Sequence, residues 1–377
     1  MLVFLIWRRE RYGVAPIRAS RPPAGAPQAP AAAPKEHPAV PVPLPSPDAK
    51  GTIEVCGIGR VRVGPDPDAL NGYANELIAG ADARWRASLL SSDDYRARAT
   101  GLYLRGLRQP DVSGTPVPGD ARRDLIELAQ ATRDPAVYAI ALQTCGKVPG
   151  ETGSCQQVSA AGWSRIDPNN AVPWLLAAAD ARTRGDAVAE AAAFDHAAQA
   201  TESVSYGSSL YSIAQASLPE DLTPLQRLLL AEKVIGYEAA WGEPQYRYLT
   251  QHCSIDAVQD QRARNQCSAV AELLAESGTT LLDLGVARTI GSRVGWPNDR
   301  LKRMGDERDA LMQEVMRRGQ PSWDCDDINR SYELITEEVR IGERAALMGS
   351  LEVAGSTVEE RAAQYRDAQR TRSSQEK

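Results

Sequence analysis

From Leu70 to the end of the chain, apolar residues recur at helical spacing, and this pattern leaves little room for a sheet. NELIAGADARWRASLL (75–90), DDYRARATGLYLRGL (93–107) and DARRDLIELAQAT (120–132) are amphipathic segments, with Ser91 and Ser92 as start signals between the first two. Thr223 and Gln226 form a capping box with Pro224 at the first helical position. Further on, RLKRMGDERDALMQEVMRR sets Leu301, Met304, Leu311, Val315 and Met316 on roughly one face. Ser356 with Glu359 predicts another capping box, and the last seven residues should fray. Composition agrees: aromatics are only 6% of the 377 residues, and Ala and Leu fill the apolar positions at little entropic cost to a helix. One segment differs. TIEVCGIGRVRV (52–63) alternates apolar and polar side chains and predicts one short strand or extended arm. Its Gly57-x-Gly59 is too short for a dinucleotide fingerprint. The expected fold class is therefore all-α.

Two Asp-Pro pairs, Asp134-Pro135 and Asp167-Pro168, stand 33 residues apart, a period that suits two helices per unit. In the second unit Trp174 takes the first large position of one helix and Ala178 the small one. Gly185-Asp186 makes the turn, and Phe194 and Ala197 supply the large and small positions of the next helix. This stretch, about residues 134–200, resembles a degenerate tetratricopeptide repeat, with Glu190 where a small residue is usual. The resemblance implies an irregular α-solenoid of helical hairpins. Stacked hairpins bury faces that none of them can bury alone. It also implies a groove on one side, for which Trp174, Arg182 and His196 are the candidates.

The N-terminal fifty residues are of another kind. MLVFLIW is followed by Arg8, Arg9 and Arg11. The seven apolar residues are too few for a spanning helix of about 20, and no basic region precedes them as in a signal peptide. We read residues 1–14 as the end of a membrane anchor, with Trp7 at the boundary. Eleven of the 25 prolines lie in residues 15–50, so this is a Pro/Ala-rich linker. Extended at about 3.1 Å per residue it reaches on the order of 100 Å. Residues 51–370 then form a single helical domain, with its C-terminal helices over 223–370 and a tail at 371–377.

Six cysteines remain to be assigned. Cys145 and Cys155 flank a Gly-rich turn, and Cys253 and Cys267 repeat the arrangement, so disulfides across helix–helix turns are reasonable. Cys56 and Cys325 are left over, and a third bridge between them is left open; one could link the arm to the C-terminal helices, giving two or three disulfides in all. Structural zinc favours cysteines two to four residues apart, unlike these, and no Cys-x-x-Cys is present. Free buried cysteines in a cytosolic protein are the rival reading. Disulfides imply the periplasm or cell surface, whereas Arg8, Arg9 and Arg11 favour the cytoplasmic side by the positive-inside rule.

A net charge of −6 opposes general nucleic-acid binding, which needs a basic face. HExxH, GxSxG and GxxxxGK[ST] are missing, and no cofactor or metal is implied. His196 and Asp195 are helical neighbours that do not face each other, and His252 beside Cys253 is the only near pair of catalytic type. Gly291-x-x-x-Gly295 lies among arginines, unlike a membrane dimer face. Met304, Met312 and Met316 suit an ordinary core, and Asp324, Asp326 and Asp327 suit helix capping. The expectation is a non-enzymatic helical scaffold of the cell envelope with a protein or peptide partner. It would touch the membrane only through its N-terminal anchor. The alternative is an envelope enzyme with an unrecognised carboxylate-based site on an all-α domain.

Overall fold

The computed structural model describes residues 52–62, 68–106, 119–145, 153–239, 244–318 and 324–375. The expected anchor (1–14) and linker (15–50) lie outside them. Among the described residues the chain forms sixteen α-helices and one two-stranded sheet.

Where one strand was expected there is a hairpin. β1 (Thr52–Val55) and β2 (Gly59–Arg62) pair antiparallel, with Val55 opposite Gly59. The reason is the turn. Gly57 (φ +76°) and Gly59 (φ +87°) adopt backbone conformations that side chains disfavour, so the alternating run reverses at its middle.

The first helical group comprises α1 (Asp68–Leu90), α2 (Tyr95–Gly106), α3 (Gly119–Thr132), α4 (Pro135–Cys145) and α5 (Ala160–Ile166). Consecutive members pack as hairpins around Trp85, Leu89, Tyr103, Leu125, Ile126 and Ile140. Asp134 sets the start of α4, accepting hydrogen bonds from the backbone N–H groups of Ala136 and Val137 at 3.1 Å. Arg96 anchors the same carboxylate at 2.7 Å.

α6 (Ala171–Thr183) and α7 (Ala187–Gln199) form the next hairpin. The two Asp-Pro pairs are not equivalent. Asp134 caps α4, whereas Asp167 ends α5 and Asn170 caps α6. Asn170, fully buried, also donates to Asp167 and to the Val204 carbonyl at 2.8 Å. The unit before it is also shorter in its second helix, because α5 has only seven residues.

α8 (Gly207–Ala216), α9 (Pro224–Ala239), α10 (Pro244–His252), α11 (Gln261–Ser277), α12 (Leu281–Val294) and α13 (Asn298–Arg318) follow. α14 (Cys325–Ile341), α15 (Glu343–Val353) and α16 (Val358–Gln375) complete the chain. α6, α7 and α10 to α12 share a second core around Leu175, Phe194, Leu249, Val270, Leu274 and Ile290. Helices α12, α13 and α15 share a third around Leu281, Leu311 and Leu347. Packing also joins helices distant in the chain, α13 with α16 and α2 with α8 among them. α14 returns to lie on α8 and α9, and α9 packs on α1.

Several local expectations meet their places. Thr223 and Gln226 exchange the capping-box hydrogen bonds. Met304 and Met312 are core, and Asp324 caps α14 by accepting from the Asp327 N–H at 2.9 Å. Gly291 is small because Trp296 lies against it, and a Cβ there would come within 2.1 Å of the indole. The last capping box sits one residue later than expected, between Thr357 and Glu360. Both neighbouring positions hold suitable residues, and the helix uses the second set. α16 continues to Gln375, through most of the stretch expected to fray. Among the described residues no helix is long and apolar enough to cross a membrane.

Candidate functional site at the α6–α7 hairpin

The hairpin is closed at both ends. At the turn, Gly185 takes φ +72° and Asp186 caps α7 by accepting from the Ala189 N–H at 3.0 Å. At the open end, the Ala171 N–H donates to the Glu202 carbonyl at 2.8 Å. Leu175, Ala178, Phe194 and Ala197 are buried against α10 and α11.

Among the candidate groove residues, Trp174 and His196 are brought together. Their rings stack with centroids 4.2 Å apart and planes 19° from parallel, and the Trp174 indole N–H donates to the Pro168 carbonyl at 2.9 Å. His196 is exposed. Arg182 lies two turns along α6 from Trp174, in a different cluster. Its guanidinium meets Glu190 Oε1 at 2.8 Å and rests over the Tyr248 ring, 4.8 Å from the centroid.

Glu190 is the centre of that cluster. The same oxygen accepts from the Tyr248 hydroxyl at 3.0 Å and lies 3.2 Å from His252 Nδ1. Phe194 closes the apolar side, its ring centroid 3.9 Å from that of His252. The electrostatics follow from this crowding. Burial alone would raise the Glu190 pKa, but hydrogen bonds from Tyr248 and Arg182 hold it below the ordinary carboxylate value. Burial, with the Arg182 charge, lowers His252 and so favours neutral imidazole. Burial and the Glu190 carboxylate raise Tyr248, so it remains a donor. A neutral His252 accepts from Arg182 Nη2, 3.2 Å away; a protonated one donates to Glu190 instead. The arrangement therefore binds α6, α7 and α10 through one shared anion.

Sequence reasoning did not single out Glu190 or Tyr248 for this role. The only signal was negative: Glu190 broke the repeat pattern. His252 and Cys253 do not form a reactive pair, because Cys253 is bonded to Cys267.

The cysteines form three disulfides: Cys56–Cys325, Cys145–Cys155 and Cys253–Cys267. The second spans α4 and a 3₁₀ turn at Ser154–Gln157, not the start of the next helix, which begins at Ala160. The third is fully buried behind α10, where the carbonyls of Thr250 and of Cys253, just past the helix end, accept from Arg293 at 2.7 and 2.9 Å. Three disulfides point to an oxidising, non-cytoplasmic compartment. Fold and cysteines together define an all-helical, disulfide-stapled protein. No family model, curated protein or solved structure matches this chain.

Proposed function

We propose that this chain is a non-enzymatic scaffold of the cell envelope that presents the outer face of the α6–α7 hairpin to a protein or peptide partner. The tetratricopeptide-like reading of residues 134–200 belongs to this proposal, as do the N-terminal anchor and a periplasmic setting. One observation carries it. Over the first half of α7, the side turned away from the core is apolar: Ala187, Val188, Ala191 and Ala192 are all exposed, Val188 at 82%. A surface helix ordinarily places charge there. Trp174 stacked on His196, together with Arg182, gives the adjoining aromatic and guanidinium groups typical of binding hot spots. The saturated hydrogen bonding at Glu190 makes that cluster a brace for the face.

The test is photocrosslinking in membranes, under non-reducing conditions, with a benzoylphenylalanine at position 192. A single adduct, lost when Val188→Glu is added, is expected. No adduct, or one that Val188→Glu leaves unchanged, overturns the proposal. Turnover of an envelope polymer by the purified chain would also overturn it.

A further inference from the structure

The end of α1 with α2 and α3 frames a second feature, an open cleft of about 490 Å³ remote in sequence from the α6–α7 face. Residues seven apart on a helix share a side, so α2 contributes Arg98 and Arg105 with Leu102 between them. On the other wall α3 contributes Asp124, Glu127 and Leu128. The cleft thus has a basic wall, an acidic wall and an apolar floor.

The two walls do not neutralise each other. Among the described residues, neither Arg98 nor Arg105 makes a side-chain hydrogen bond or ion pair, although Arg98 is half-buried. Other arginines here are well paired: Arg96 with Asp134, Arg300 with Glu272, Arg344 with Glu307. Asp124 and Glu127 meet only Arg123 of their own helix, at 3.4 and 3.8 Å, in exposed pairs of a kind that contribute little. Partly desolvated charge without a partner is costly, and the cost is recovered when a ligand supplies the counter-charge.

We propose that this cleft binds a short zwitterionic peptide with apolar side chains. Its carboxylate would lie on Arg98 and Arg105, its ammonium on Asp124 and Glu127, and its side chains on Leu102 and Leu128. The volume is comparable to that of small-ligand sites, in a cleft that stays open to solvent. A simple anion such as phosphate would meet the acidic wall, and a simple cation the basic one; a zwitterion satisfies both. This inference does not rest on the partner proposed for the α6–α7 face.

Calorimetric titration of the oxidised full chain with leucyl-leucine tests it. Binding with Kd of about 0.1–1 mM is expected. Leucyl-leucinamide and N-acetyl-leucyl-leucine, each lacking one charge, should bind about tenfold more weakly or worse, and Arg98→Glu should have the same effect. Arg105→Glu, at an exposed position, repeats the test should Arg98→Glu impair folding. No heat of binding up to about 10 mM, equal affinity for the capped dipeptides, or equal affinity for inorganic phosphate overturns the proposal.

Discussion

The Tyr248 hydroxyl donates to Glu190 Oε1 at 3.0 Å, joining helices whose residues lie 58 positions apart in sequence. Glu190 is also the residue that departs from the tetratricopeptide-like pattern expected from the sequence. At this position a small side chain would pack, whereas the carboxylate holds three polar partners. Glu190→Ala should lower unfolding free energy by about 1–3 kcal/mol, because Tyr248 and Arg182 lose their acceptor in a partly buried place. Tyr248→Phe should cost about 1 kcal/mol, and the double variant less than the sum. Urea denaturation of the three proteins checks this.

Acid should weaken the same junction. His252 is held below its ordinary pKa, so the unfolded chain takes up its proton first. The stability this gives is present above the ordinary histidine value of about 6.5 and declines as pH falls below it. Glu190, also held low, adds a second loss further down, below the ordinary glutamate value of about 4.3. The thermal midpoint should therefore fall between pH 7 and pH 5, and His252→Gln should flatten that fall.

Gly291→Ala places a methyl group against the Trp296 indole, where the required space is missing. Because the ring is hemmed in by the core, the helix or the indole must shift. A loss of about 1–3 kcal/mol is expected. The control is Gly349→Ala, where nothing stands within 4 Å of an added Cβ; there the midpoint should hold or rise. Differential scanning calorimetry separates the two.

Reduction and alkylation should raise the intact mass by six alkyl groups, two for each bridge, with none added before reductant. The bridges should also differ in weight. In the chain-entropy model the loops closed by Cys145–Cys155 and Cys253–Cys267 each contribute about 3 kcal/mol, and the far longer Cys56–Cys325 loop about 6 kcal/mol. Paired Cys→Ser substitutions, compared in guanidinium, give the order.

What was legible in the sequence was local. Helix starts at Pro224 and at Cys325, and the turn at Gly185-Asp186, depend on residues within four positions of each other. The β-hairpin was hidden because GRVR continues the alternation of TIEV, and only the backbone freedom of two glycines breaks it. The capping box at Thr357 was misplaced by one because adjacent residues compete for the role. The candidate site was half legible. Trp174, Arg182 and His196 were marked by the hairpin pattern, but Tyr248 and His252, which meet Arg182, sit on α10, and no spacing rule connects them to it. The return of α14 onto α9 was likewise hidden, since it is fixed by contacts between segments about a hundred residues apart.

The Cys56–Cys325 bond, across 269 positions, turns most of the folded body into one closed covalent ring, with the other two disulfides as smaller rings inside it. A ring is not divided by one cut. A protease that severs a single peptide bond between residues 57 and 324 releases no fragment until reductant is added. Both tails also leave the ring from neighbouring atoms. A pull on residues before Cys56 therefore passes directly into α14 across a sulfur–sulfur link, and the helices between are bypassed by the load.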